Sequence, residues 1–428
     1  MLPEITKKNQ NLALVNSKPF ADVLTEGYYF DIKSSYGSGG ARFLFFDKLQ
    51  STLLVSHVNN NRVHLINLKN GKMRWFDHHS ASVRSVQTTG SDSVIITASW
   101  DGTCMATNFE NLEKRHVFTE KDMGRSPYIA VSKYYDNVYS YSYDSDKNPE
   151  RKSNTVRTWS LSDGNLVQKI ILRNTHLASR RCGTVEAFSG KMYVVSDTGY
   201  LEIFNLYTGQ FISEHFFSDL LQSLCIIPSL NMIAFAGDNG NIFICTASGK
   251  LVTKIKAHQY YVSELMIHPQ NPDTLISVSH DGTAKIWSMS DLKNPLLPKL
   301  VLVDTIQVSS YDSLWSVTSC NDLVLFGGDY GEIEIHQIKN QKAELKGKLV
   351  VYNDSFVFVA AGKKAFYTTD LSLIQVFKDN GTPVYGQFAD YLLKTTCNFK
   401  IFRDLFADNR ENLPGLNNQS EGYFQLTQ

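Results

Sequence analysis

The chain has 428 residues, 43% hydrophobic and 20% charged, with no long low-complexity tract, which excludes a disordered chain and leaves enough apolar material for a sizeable core. Lys plus Arg number 42 and Asp plus Glu 42, and a zero net charge sets aside a nucleic-acid-coating role, which needs a clustered excess of Lys and Arg. The first residues, MLPEITKKNQNLALVN, are polar where a secretory signal needs an apolar run, and no stretch approaches about 18 apolar residues, so a soluble, cytoplasmic protein without membrane insertion is expected.

In chain order, residues 1–27 are expected to be an amino-terminal extension, followed by a strand at YYFDI (28–32). Strand-rich units then recur: TLLVSHVNNNRVHLINLKNGKMRWF (52–76), VIITASWDGT (94–103), NVYSYSYD (137–144) with TVRTWSLSDGNLVQKI (155–170), MYVVSDTGYLEIF (192–204), MIAFAGDNGNIFI (232–244), LISVSHDGTAKIW (275–287) and LVLFGGDYGEIEI (323–335). Two weaker units follow, FVFVAAGKKAFYTTDLSLIQVF (356–377) and YLLKTTCNFKIF (391–402), and residues 404–428 read as a polar tail. Most units read as strand, Asp and Gly turn, strand, because Asp and Gly tolerate the positive φ that tight turns demand. The turn glycines Gly199, Gly240, Gly282 and Gly331 are 41, 42 and 49 residues apart, the spacing of a four-stranded blade. The expected fold is therefore all-β, one β-propeller over residues 28–403, with eight blades favoured and seven or nine allowed. Ring packing buries the blade faces, and the strand at 28–32 is expected to close the ring by pairing with the last blade.

Residues 257–288, AHQYYVSELMIHPQNPDTLISVSHDGTAKIWS, closely resemble a WD repeat, with a weaker copy from HSASVRSV (79–86) to SWDGT (99–103). The resemblance implies a hydrogen-bonded tetrad on His258, Ser277 or Ser279, Asp281 and Trp287, a buried polar network that fixes blade geometry once every member is satisfied. Other units depart from the pattern: Thr107, Phe204, Cys245 and His336 stand at the Trp position, with Trp159 the other match.

No GxSxG, HExxH or GxxxxGK motif is present, so neither an enzyme nor a cofactor is expected. His78 and His79 could ligate a metal, but His79 aligns with the tetrad histidine, and the six scattered cysteines, without a CxxC pair, read as free thiols. SRRCGT (179–184) resembles the paired-arginine motif of phosphoinositide-binding propellers, which makes a membrane effector acting through Arg180 and Arg181 the alternative function. The favoured function is a non-enzymatic scaffold or adaptor that binds one or more proteins or peptides and serves as a subunit of a larger complex. Its expected binding face carries Arg84, Trp100, Tyr261, Ser263, His280 and Trp315, including residue types enriched in interface hot spots. The charged insertion at 144–154 is a further candidate contact.

Overall fold

The strand and turn units fold into antiparallel four-stranded sheets, each built from consecutive strands. The structure, a computed structural model, describes residues 28–32, 41–131, 137–143, 155–173 and 184–406, less 50, 59, 90–93, 121–122, 124, 197, 295, 309–312, 330, 340 and 363–364. Seven sheets make the blades, at 41–76, 83–118, 125–171, 184–216, 221–256, 262–307 and 314–351. In each, the first strand packs against the first strands of its neighbours, and Ala41–Asp47 meets Leu314–Cys320, so the ring is closed.

Burial along the strands follows from that arrangement. The second strands Thr52–His57, Val94–Ser99, Thr274–Ser279 and Leu323–Gly328 are buried at every position. The pleat sends alternate side chains to opposite faces, and here both faces meet another blade. Outermost strands such as Phe211–Phe216 lie where the blades diverge and expose most of their side chains. The tight turns carry glycine at positive φ, and at Gly240 (φ +69°) a Cβ would also stand 2.2 Å from the His258 carbonyl oxygen. Seven apolar clusters among the described residues each join two adjacent blades, so the core is distributed around the ring.

Seven blades lie within the expected range but below the favoured eight, and the two weak units explain the difference. Phe356–Ala360 and Phe366–Thr368 extend the sheet of blade seven outward as fifth and sixth strands. Ile374–Lys378 leaves that sheet and pairs antiparallel with Tyr28–Ile32, so the 28–32 strand does not close the ring as expected. Residues 391–402, expected as strands, belong to two helices, α1 (Gln387–Thr396) and α2 (Phe399–Phe406). Phe399, Phe402 and Phe406 recur at intervals of three and four, a helical stripe, and α2 crosses residue 404 with Phe406 buried.

Blades one and seven share no strand among the described residues; side chains join them. Phe402 of α2 packs on Phe356, Phe358 and Tyr367, while Phe399 lies over Gly71 of blade one. Across the same seam, His64 Nε2–H donates to the Asn353 carbonyl at 3.2 Å, and Arg62 lies 3.6 Å from the Asp354 carboxylate. No helix among the described residues is long and apolar enough to cross a membrane.

Candidate functional site

The polar groups of blade six are satisfied internally. The Asp281 carboxylate accepts from His258 Nδ1–H (3.0 Å), which leaves Nε2 to accept the Ser277 hydroxyl (2.7 Å), and Ser277 Oγ in turn accepts the Trp287 indole N–H (2.8 Å). Ser277 is therefore the hydroxyl of the network. Ser279, two residues on, donates to the Tyr261 carbonyl (2.8 Å) and accepts the Asp281 N–H (3.1 Å), which shapes the turn. Burial lowers the pKa of His258 against the opposing pull of Asp281. Burial alone would raise the Asp281 carboxyl, but bonds from His258, Thr283 and the Gln259 N–H outweigh it and hold the group well below the usual carboxylate range.

Blade two repeats this without the tryptophan. His79 bonds Asp101 (2.9 Å) and Thr97 (2.8 Å), while Thr107 stands at the Trp position. Burial again raises the Asp101 carboxyl, and hydrogen bonds from His79 and Thr103 overcome it and bring the group down to about 2. In blade three Trp159 still donates to Ser140 (2.8 Å), but Arg157 takes over the polar core, donating to Glu120 and to Ser142, both at 2.6 Å. The adjacent His78 and His79 serve separate partners, since His78 bonds the Leu112 carbonyl at 2.9 Å.

With those groups tied off, the ring mouth carries the chemistry. In blades two, five, six and seven the pairing register slips at the start of the inner strand, placing an extra residue there: Arg84, Gln222, Ser263 and Trp315. Such bulges re-aim side chains, and in blades two, five and seven the extra residue stands near the one that follows the second strand. The Arg84 guanidinium lies 4.2 Å from the Trp100 ring centre. Gln222 donates to Asp238 at 2.5 Å, and the Trp315 indole N–H donates to Asp329. In blade six Ser263 donates instead to the Leu314 carbonyl (2.6 Å), and His280 stands edge-on between Tyr261 and Trp315, 4.5 and 4.1 Å between ring centres.

Tyr261, Ser263 and Trp315 line a central cavity of about 330 Å³ together with Phe43, Ser85, Gln87, Ile129, Glu186, Gln222 and Glu264, so all seven blades contribute. The structure thus gathers Tyr261, Ser263, His280 and Trp315 at the junction of blades six and seven. Arg84 and Trp100 form a separate pair in blade two, next to the cavity residue Ser85. Sequence reasoning missed Gln222, Asp238 and Asp329, which become equivalent to the expected residues only once the bulges set the register. Arg180, Arg181 and the insertion at 144–154 lie outside the described residues. Among the described residues Cys104, Cys225, Cys245, Cys320 and Cys397 form no disulfide, and burial pushes the Cys225 and Cys245 thiols up to about 12.

The family model described as WD domain, G-beta repeat matches residues 71–106 and 249–288, the segments that hold most of the His79 and His258 networks. The ribosome biogenesis protein YTM1 of Kluyveromyces lactis is 23% identical over 263 residues, covering 56% of this chain and 54% of the relative. The protein of that name from Candida glabrata is 25% identical over 210 residues, 45% of each chain. In Phaeosphaeria nodorum the figure is 33% over 106 residues, 24% of this chain and 22% of the relative. These matches span about half the length of the curated relatives or less. The solved structure of U3-55K superposes with a TM-score of 0.57 at 11% identity, covering 70% of this chain and 91% of that one, a likeness of fold.

Proposed function

From the premise that the chain is a WD-repeat β-propeller, we propose that it is a non-enzymatic protein-binding scaffold and a subunit of a complex that assembles ribosomes. The observation that carries this reading is the mouth of the ring, where Tyr261, Ser263, His280 and Trp315 gather beside a cavity to which every blade contributes. Ser263 and Trp315 sit on inner strands, and Tyr261 and His280 directly flank strands, so a partner finds aromatic surface already ordered and loses little entropy on docking. The ribosome assignment rests on what the relatives are named for. It favours a nucleolar location over the cytoplasmic one expected from the sequence, which the comparisons do not support. No observation favours the phosphoinositide alternative, since Arg180 and Arg181 lie outside the described residues and the relatives cited are named for ribosome biogenesis.

The test is gradient sedimentation of a tagged chain from cell extract, followed by identification of co-purifying proteins. Pre-ribosomal particles should carry the wild-type chain, and Trp315→Ala should shift it toward free fractions while the fold persists. A chain that sediments free of those particles and brings down no assembly factor would overturn the proposal.

A further inference from the structure

We propose that the outer flank of blades three and four is a homodimer interface, in which a second copy of this chain covers the outermost strands Leu166–Ile171 and Phe211–Phe216 and sets its Glu214 against Arg173 of the first. These strands lie at the opposite edge of their sheets from the channel, so this interface and the mouth used by the scaffold reading can each fail alone.

Exposure singles out this flank. Val167 and Ile171 of blade three and Tyr207, Ile212 and Phe216 of blade four are 47–65% exposed. The two outermost strands are neighbours: Arg173 lies 4.2 Å over the Phe211 ring, and a Cβ on Gly209 would stand 2.4 Å from the Gln168 amide. With an aromatic side chain spanning about 150–250 Å², the five expose roughly 500 Å², near the top of the range of about 300–600 Å² for the largest apolar patch on a typical monomer. A standard interface takes about 800 Å² from each partner, which this patch and its polar margin can supply.

Outer strand edges invite pairing and are usually guarded by charge or covered. Blades one, two and five carry Arg74, Lys114 with Arg115, and Lys254 with Lys256 on their outermost strands. Blade six is tied to blade seven by Asp304, which accepts the Ala343 N–H at 3.0 Å, and the sheet of blade seven is lengthened by two further strands. In blade three the guarding lysine turns inward, its Nζ 3.1 Å from the Glu120 carboxylate, and the blade four strand, FISEHF, holds neither Lys nor Arg. The flank is also self-complementary in charge, with exposed Arg173 on the blade three side and exposed Glu214 on the blade four side. A two-fold axis sets the same patch of both copies face to face, so the basic half of one meets the acidic half of the other.

Sedimentation equilibrium of the purified full chain, from micromolar to hundred-micromolar concentration, tests this. The unaltered chain should show a reversible monomer–dimer equilibrium. Ile212→Asp combined with Phe216→Asp should raise the dimer Kd by about thirtyfold or more. Leu296→Asp, at a residue 86% exposed in the turn before the outermost strand of blade six, should leave it unchanged. Arg173→Glu should weaken the dimer, and adding Glu214→Arg should restore it, with circular dichroism checking that each variant folds. An unaltered chain that stays monomeric throughout would give the flank to a different protein and overturn the proposal. So would a dimer indifferent to the Ile212 and Phe216 changes, or a charge reversal that restores nothing.

Discussion

Ser277→Ala removes a single fully buried hydroxyl, yet two side chains depend on it: the Trp287 indole N–H and His258 Nε2 both lose their partner. Leaving a buried polar group unsatisfied costs about 1–3 kcal/mol, so orphaning two should destabilise the protein by about 2–6 kcal/mol. Ser140→Ala is the matched control. It occupies the equivalent strand in blade three but orphans only the Trp159 indole, for a cost of about 1–3 kcal/mol. Urea unfolding of both variants, followed by tryptophan fluorescence and far-ultraviolet circular dichroism, gives the difference directly, and coincidence of the two signals checks that one transition is being read. If Ser277→Ala costs no more than Ser140→Ala, His258 does not depend on Ser277 and the network is wrongly drawn.

Trp315→Ala should weaken capture of the partner by about 2 kcal/mol or more, while losing about 0.5–1.5 kcal/mol of stability through its contact with His280; normal capture by a variant that melts far lower would make this residue purely structural. Burial lowers His64 from 6.5 to about 4 in the folded state. As pH falls below 6.5 the unfolded chain takes up a proton that folded His64 refuses, so stability is lost from that point down to about pH 4. His64→Asn should reduce the slope of unfolding free energy against pH by up to about 1.4 kcal/mol per unit, and an unchanged slope would contradict this. His258 and His268 are shifted in the same direction and add to the slope, whereas Glu264, whose carboxyl burial raises, opposes it over the same range. Phe402→Ala, at a residue with 0% exposure, should cost about 3–5 kcal/mol, read as the shift in urea midpoint; a loss below about 1 kcal/mol would mean α2 contributes little to the seam.

The ring was legible because its units are stamped by local turn chemistry: Gly199, Gly240, Gly282 and Gly331 keep blade spacing even where the tetrad has been lost. His258, Asp281 and Trp287 could be placed from their motif, but Ser277 and Ser279 could not be separated. Residues two apart on a strand share a face, and only depth in the blade decides which one meets the histidine. The blade count was less legible because Phe356–Ala360 and Phe366–Thr368 are genuine strands, and sequence does not say whether a strand starts a new sheet or lengthens an old one. The helical spacing of Phe399, Phe402 and Phe406 was a usable signal, overlooked in a chain otherwise read at period two. Gln222, Asp238 and Asp329 stayed hidden for another reason, since a bulge shifts register without leaving a distinctive residue behind.

The seam between blades one and seven works as a wedge. A joint made by sharing a strand has a register and is either engaged or not, whereas one made by aromatic side chains can open by degrees. The strands Ala41–Asp47 and Leu314–Cys320 meet along it, and Phe43 and Trp315 from those same strands stand in the wall of the channel. α2 and the channel wall therefore meet the same seam from opposite sides, the helix at its outer rim through Phe402 and Phe399, and Phe43 and Trp315 at its inner edge.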